Sequence, residues 1–189
     1  MLTIGVTGHR FLTETDKIKK SVDTTLLHIQ EVYTPEKISI HTSLAEGADR
    51  LVPQRALELF AEPHLIVPLP FPKEQYLKDF PDGKSKEIFN ELINRADRVI
   101  TFPPAKTKNK SYQLVGEYIL DHSDILIAIW DGKPSQGQGG TGEFINAARK
   151  RNLPLAWIHA GNRKPGTHEP TSLGKEQGKV TFERFPKRK

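Results

Sequence analysis

An unbroken apolar run, Ile125 to Trp130, is rich in β-branched residues and too short for an isolated helix, so it predicts a strand buried on both faces. It leads through Asp131 and Gly132 into a glycine-dense loop, Gln136-Gly137-Gln138-Gly139-Gly140. Thr141 is placed to cap the helix that follows, with Phe144, Ile145, Ala147 and Ala148 at helical spacing and Arg149, Lys150 and Arg151 at its end. Leu2 to Thr7 predicts a first strand that ends in Gly8-His9-Arg10. Ile18, Val22, Leu26, Ile29 and Tyr33 then recur every three or four residues, a helical stripe with Thr15 or Asp16 as its cap. Lys37 to His41 and His64 to Leu69 predict two further strands. Between them lie the polar turn Thr42 to Arg50 and a helix burying Leu51, Val52, Ala56, Leu59 and Phe60.

Pro68, Pro70 and Pro72 end the third strand, and Tyr76 to Phe80 reads as a short helical piece. Ile88, Phe89, Leu92, Ile93 and Ala96 form another helical stripe before a strand at Arg98 to Phe102. Pro103 to Lys110 reads as a flexible, lysine-rich loop, Tyr112 to His122 as a helix, and Leu153 to His159 as a sixth strand. Beyond Gly161 the apolar density collapses, leaving Val180, Phe182 and Phe185 as a candidate edge strand. Alternating strands and helices predict an α/β fold: a three-layer, Rossmann-like domain over residues 1–160 with a mostly parallel sheet of about six strands. Residues 161–189 are expected to form a basic, partly disordered tail.

In such sheets ligands sit beyond the carboxyl ends of the strands. The unusual polar residues gather at those ends: Gly8-His9-Arg10, Ser43 with Glu46 to Arg50, and Asp131 with the glycine loop. Gly139, Gly140 and Thr141 are candidates to hold a phosphate or ribose oxygen on free backbone N–H groups. Arg10 is the candidate for a phosphate, since its guanidinium offers two parallel donors and Gly8 permits close backbone approach; the alternative is a salt bridge to Asp49 or Glu46. His9 suits stacking on a base, donation to a phosphate, or packing into the site wall. Ser43 and Glu46 are placed to reach a ligand, whereas Asp49 and Arg50 read as a structural pair. Tyr76 and Tyr112 are candidate stacking platforms set against a core role, and Asp131 would orient a ribose or shape its own turn. Glu143, in a first helical turn, suits the helix dipole and would accept from ribose hydroxyls.

The 189 residues carry a formal charge of +5, and the eight Lys/Arg and three Asp/Glu after residue 160 account for all of it. Residues 1–160 are therefore balanced in charge, which argues against a nucleic-acid groove in the folded body. No cysteine is present, which excludes disulfides, a thiolate nucleophile and Cys-ligated zinc. The histidines show no metal-ligand spacing, so neither a metal nor a cofactor is expected. With no leader-like or membrane-spanning run, a cytoplasmic protein is expected.

Taken together, Gly5-Val6-Thr7-Gly8-His9-Arg10, Ser43 to Leu51, Leu69-Pro70-Phe71-Pro72 with Tyr76 and Asp79-Phe80, and Trp130-Asp131-Gly132 with Gly139-Gly140-Thr141 resemble the SLOG superfamily. That superfamily unites domains of the DNA-processing protein A type with the LOG-like phosphoribohydrolases, loosely called lysine decarboxylase-like. The resemblance covers about residues 1–160 and implies a nucleotide or nucleotide-derived ligand, bound by a sensor module. The phosphoribohydrolase pattern, Pro-Gly-Gly-x-Gly-Thr with a glutamate after two more residues, is not reproduced. Here the proline and one glycine are missing and Glu143 arrives one residue early. A nucleotide N-glycosidic hydrolase with Glu143 as its catalytic residue is thus the alternative, and nucleic-acid binding through the tail a third. A sensor without an effector domain needs a partner or a homo-oligomer, for which the helix faces around Phe89 and Tyr118 are candidates.

Overall fold

Strand and helix alternate along the chain: β1 (Leu2–Gly8), α1 (Thr15–Tyr33), β2 (Ile38–His41), α2 (Ala48–Leu59), β3 (His64–Leu69), α3 (Lys73–Tyr76), α4 (Lys84–Asn94), β4 (Arg98–Thr101), α5 (Lys108–Asp121), β5 (Ile125–Trp130), α6 (Thr141–Lys150), β6 (Leu155–His159) and β7 (Val180–Glu183). The computed structural model describes residues 1–81, 83–134 and 140–186. All but one strand are parallel, in the order β4-β3-β2-β1-β5-β6-β7, with β7 antiparallel to β6. The sheet thus has seven strands, the expected six and the candidate edge strand.

β5 is buried along its whole length, and its alternate residues serve two cores. Ile125, Ile127 and Ile129 join the larger one with Val22, Leu26 and Val52; Leu126, Ala128 and Trp130 join a second with Ile145, Ala148 and Leu155 of α6 and β6. A strand covered by helices on both faces shows no alternation, which is why its sequence is one apolar run. From β1 the chain steps outward to β2, β3 and β4, then returns through α5 to place β5 on the other side of β1. The carboxyl ends of β1 and β5 therefore flank the point where the strand order reverses, the crevice in which open α/β sheets hold ligands.

Three helix starts differ from the pattern-based reading. α6 is capped by Gly140, with Thr141 as its first helical residue and no side-chain cap; α1 is preceded by Glu14 in the left-handed region (φ 51°) rather than capped by Thr15 or Asp16. α5 starts at Lys108, where Thr107 Oγ1 accepts from the Lys110 N–H at 3.2 Å, so part of the lysine-rich stretch is helical rather than loop. Phe89 is fully buried against Tyr76 and Phe80 and has no surface to offer a second copy.

The largest departure concerns the residues after Gly161. Residues 162–186, expected as a partly disordered tail, are fastened to the body. β7 pairs with β6, Phe182 and Phe185 pack on His28, and Ser21 Oγ donates to the Gly178 carbonyl at 2.6 Å. The main fastening is Gln177, 1 % exposed. Its Oε1 accepts from the N–H groups of Gly161 (2.9 Å) and Leu173 (3.0 Å), and its Nε2 donates to the Thr13 carbonyl (3.1 Å). Gln177→Leu leaves these groups without partners, and a buried unsatisfied group costs about 1–3 kcal/mol, so stability should fall by about 3 kcal/mol or more. Urea unfolding would read this as a lower midpoint at unchanged slope; an unchanged midpoint would refute the role given to Gln177.

Candidate functional site

At the reversal point a cavity of about 560 Å³ opens between the carboxyl ends of β1 and β5, the helices α5 and α6, and the segment after β6. Its size suits a small molecule. Two different walls meet in it. The inner wall is apolar, made by Val115, Ile119 and Leu120 of α5, Leu126 of β5 and Phe144 of α6. Toward the strand ends the lining turns polar and charged, with His9, Arg10, Ser43, Asp49, Asp131 and Lys133.

Two glycines bring these groups together. Gly47 precedes α2 with φ 73°, and a Cβ there would overlap the backbone carbonyls of His9 and Arg10. The Ala48 N–H donates to the His9 carbonyl at 3.1 Å, so the start of α2 abuts the end of β1. At Gly8 a Cβ would overlap Ala48 and the Ile129 carbonyl, so glycine is required there by packing between β1, α2 and β5. Gly8 does line the cavity, but the conspicuous need is structural.

The turn from β2 into α2 is unusual. Leu44, fully buried, sits in the left-handed region at φ 57°, which costs a non-glycine residue about 1–2 kcal/mol. Arg50 offsets that cost. Its Nε donates to the Leu44 carbonyl (2.9 Å) and its Nη1 to the Ser85 carbonyl and hydroxyl (2.8 and 2.9 Å), while its guanidinium lies 4.4 Å from the Phe80 ring centroid. Arg50 is structural, as expected, but its neighbour is not its partner. Asp49 faces the cavity, and its Oδ2 accepts from Ser43 Oγ at 2.8 Å. Burial pushes the Asp49 carboxyl up to about 6, against the Ser43 hydrogen bond and the Arg10 charge, which favour the ionised form.

Arg10, half-buried, enters none of the ion pairs offered as its alternative, to Asp49 or to Glu46, and its guanidinium lies 5.8 Å from the Tyr112 ring centroid. Tyr112 donates to Asp79, which also pairs with Lys108, so the ring beside Arg10 is held in place. Lys133, like Arg10, makes no ion pair among the described residues. At β5, His9 Nε2 accepts from the Asp131 N–H at 3.0 Å and lies 3.1 Å from Asp131 Oδ1. Burial lowers the His9 pKa below the ordinary histidine value, against the charge and hydrogen bond of the Asp131 carboxylate, which raise it. Asp131 Oδ1 also accepts from the Lys133 N–H (3.1 Å), so Asp131 shapes its own turn and His9 is packed into the site wall.

Gly140 and Thr141 line the cavity; Gly139, with Gln136 to Gln138, lies outside the described residues. Three of the expected ligand contacts are placed elsewhere. Tyr76 is fully buried, edge-on to Phe80 and Phe89, with its hydroxyl 3.5 Å from Ser43 Oγ, so it has no face to offer a base. Glu46 accepts from Ser85 Oγ at 2.6 Å and braces the α2–α4 side rather than lining the cavity. Glu143 is exposed on the first turn of α6 and is not part of the cavity wall.

Asn162, Arg163, Pro165 and Gly166 line the cavity although sequence reading assigned them to a tail. In the same segment Lys164, Lys179 and Arg184 pair with Glu169, Glu176 and Glu183. Among the described residues no helix is long and apolar enough to cross a membrane.

No protein-family model matches the chain, and no curated protein does. Among solved structures, the chain is similar to the X-ray structure of TM1055, a structural-genomics target, at 14 % identity and a TM-score of 0.48, over 82 % of this chain and 72 % of that one. It is also similar to DNA processing protein A from Streptococcus pneumoniae, at 15 % identity and a TM-score of 0.45. There the likeness covers 82 % of this chain but spans 58 % of that one.

Proposed function

We propose that the protein binds a nucleotide or nucleotide-derived small molecule in the cavity at the carboxyl ends of β1 and β5, in a sensing role. The observation that carries this reading is the pairing of an apolar inner wall with two cations, Arg10 and Lys133, that make no ion pair among the described residues, at the reversal point of the sheet. Such a cavity suits an amphiphilic anion whose ring lies against Val115, Ile119 and Phe144 and whose phosphate meets Arg10. The hydrolase alternative depends on Glu143 touching the ligand, and its position outside the wall favours binding over that chemistry.

Titration with AMP, followed by the backbone amide resonances, tests the reading. Shifts are expected at His9, Arg10, Asp131 and Lys133 together with Val115 and Gly116. Shifts confined to another face, or none at millimolar AMP, would refute it.

A further inference from the structure

Resting on the reading above, we infer that the segment after β6 completes the binding site, with Arg163 as a second guanidinium for the ligand's phosphate beside the β1 loop. Arg163 lines the same cavity as Arg10, yet lies in a stretch that neither the strand–helix pattern nor the motifs assign to a site. Of the described basic residues in its segment, Arg163 and Lys175 make no ion pair, and of these two only Arg163 lines the cavity. Lys164, Lys179 and Arg184 each meet a glutamate, whereas Arg163 makes no ion pair among the described residues.

Arg163 is also held in place. Its guanidinium carbon lies 5.1 Å from the Phe11 ring centroid, and Phe11 lines the cavity next to Arg10 and stacks on His168 at 4.9 Å. An aromatic face orients a guanidinium without neutralising it, leaving the hydrogen-bond donors at its edge available to an anion. The backbone beneath it is anchored twice. Arg163 bridges to Pro170, and the Thr171 N–H donates to the Asn162 carbonyl at 2.6 Å. Gln177 then ties Gly161 and Leu173 to Thr13, in the loop that carries Phe11. The segment thus presents a fixed cation to the cavity. With Arg10 and Arg163 lining the same cavity, the ligand would carry enough phosphate oxygens to meet two guanidinium groups, as a terminal monoester or a diphosphate does.

The test is calorimetric titration of ADP into the full-length protein and into four variants: Arg163→Ala, Arg163→Lys, Arg10→Ala and Lys164→Ala. Arg163 and Lys164 are both exposed, so unchanged melting temperatures are expected for their variants. Arg163→Ala should weaken ADP binding at least tenfold and Arg163→Lys less. Lys164→Ala, which removes the same charge from the same segment, should change it less than twofold. If Arg163→Ala binds as the unaltered protein does while Arg10→Ala is weakened, the inference fails and the cavity reading stands. Equal losses in Arg163→Ala and Lys164→Ala would reduce the effect to diffuse charge and overturn the inference. Failure of the unaltered protein to bind ADP would overturn both.

Discussion

Replacing Arg10 with alanine is expected to weaken binding of a phosphate-bearing ligand about a hundredfold while leaving the protein folded. A guanidinium gives two parallel charge-assisted hydrogen bonds to phosphate, each worth about 1.5–3 kcal/mol, so loss of the pair costs about 3 kcal/mol, or about two powers of ten in Kd. No ion pair among the described residues is lost with Arg10. The contact with Tyr112 disappears, and Asp49 loses a charge that favours its ionised form. These losses are small, about 1 kcal/mol, and should lower the melting temperature by about 2–4 °C. Titration of AMP alongside thermal unfolding separates the effects. A variant with unaltered affinity would remove Arg10 from the site.

The second large effect concerns Asp49. Its carboxyl, pushed up to about 6 by burial, titrates well above the ordinary aspartate value of 3.8 that it regains on unfolding. For an acid whose pKa is raised in the folded state, stability is fully present below the unfolded value and is lost as pH rises through the folded one. The ionised Asp49 therefore costs about 2–3 kcal/mol at neutral pH, and the loss develops between about pH 4 and pH 6. Asp49→Asn keeps the shape and an acceptor for Ser43 but cannot ionise. It should match the unaltered protein near pH 3.5 and exceed its stability by about 2–3 kcal/mol at pH 7, as measured by urea unfolding across that range. A variant no more stable at pH 7 would mean that Ser43 and Arg10 already compensate the buried charge.

The strands and their order of appearance were legible because their signals are local. Ile125 to Trp130 reads as a doubly covered strand from six residues alone, and helix α1 from a stripe of five apolar positions. The edge on which the cavity opens was legible too, since parallel strands put their carboxyl ends on one edge. What was not legible depends on partners far apart in sequence. Tyr76 reads as either a stacking platform or a core residue, and the choice is made by Phe80 and by Phe89, the latter brought in by α4. Arg163 stands in a basic, apolar-poor stretch, and that composition conceals a segment held by Gln177 and by backbone pairing to β6 rather than by an apolar stripe. Spacing likewise cannot tell Thr141 as a cap from Thr141 as the first helical residue, a shift of one position.

That the cavity at the reversal point of the sheet binds a phosphate-bearing ligand is the central claim, and a thermal-shift comparison of the unaltered protein and Arg10→Ala tests it most directly. Both would be heated with mononucleotides, dinucleotides and cyclic nucleotides, and each stabilising ligand recovered for product analysis. A ligand that binds only the folded state raises the melting temperature by mass action. The expected result is a phosphate-bearing ligand that stabilises the unaltered protein, is recovered intact, and has little effect on Arg10→Ala. Equal stabilisation of both proteins, or of neither, would contradict the claim, and recovery of free base with sugar phosphate would replace sensing with hydrolysis.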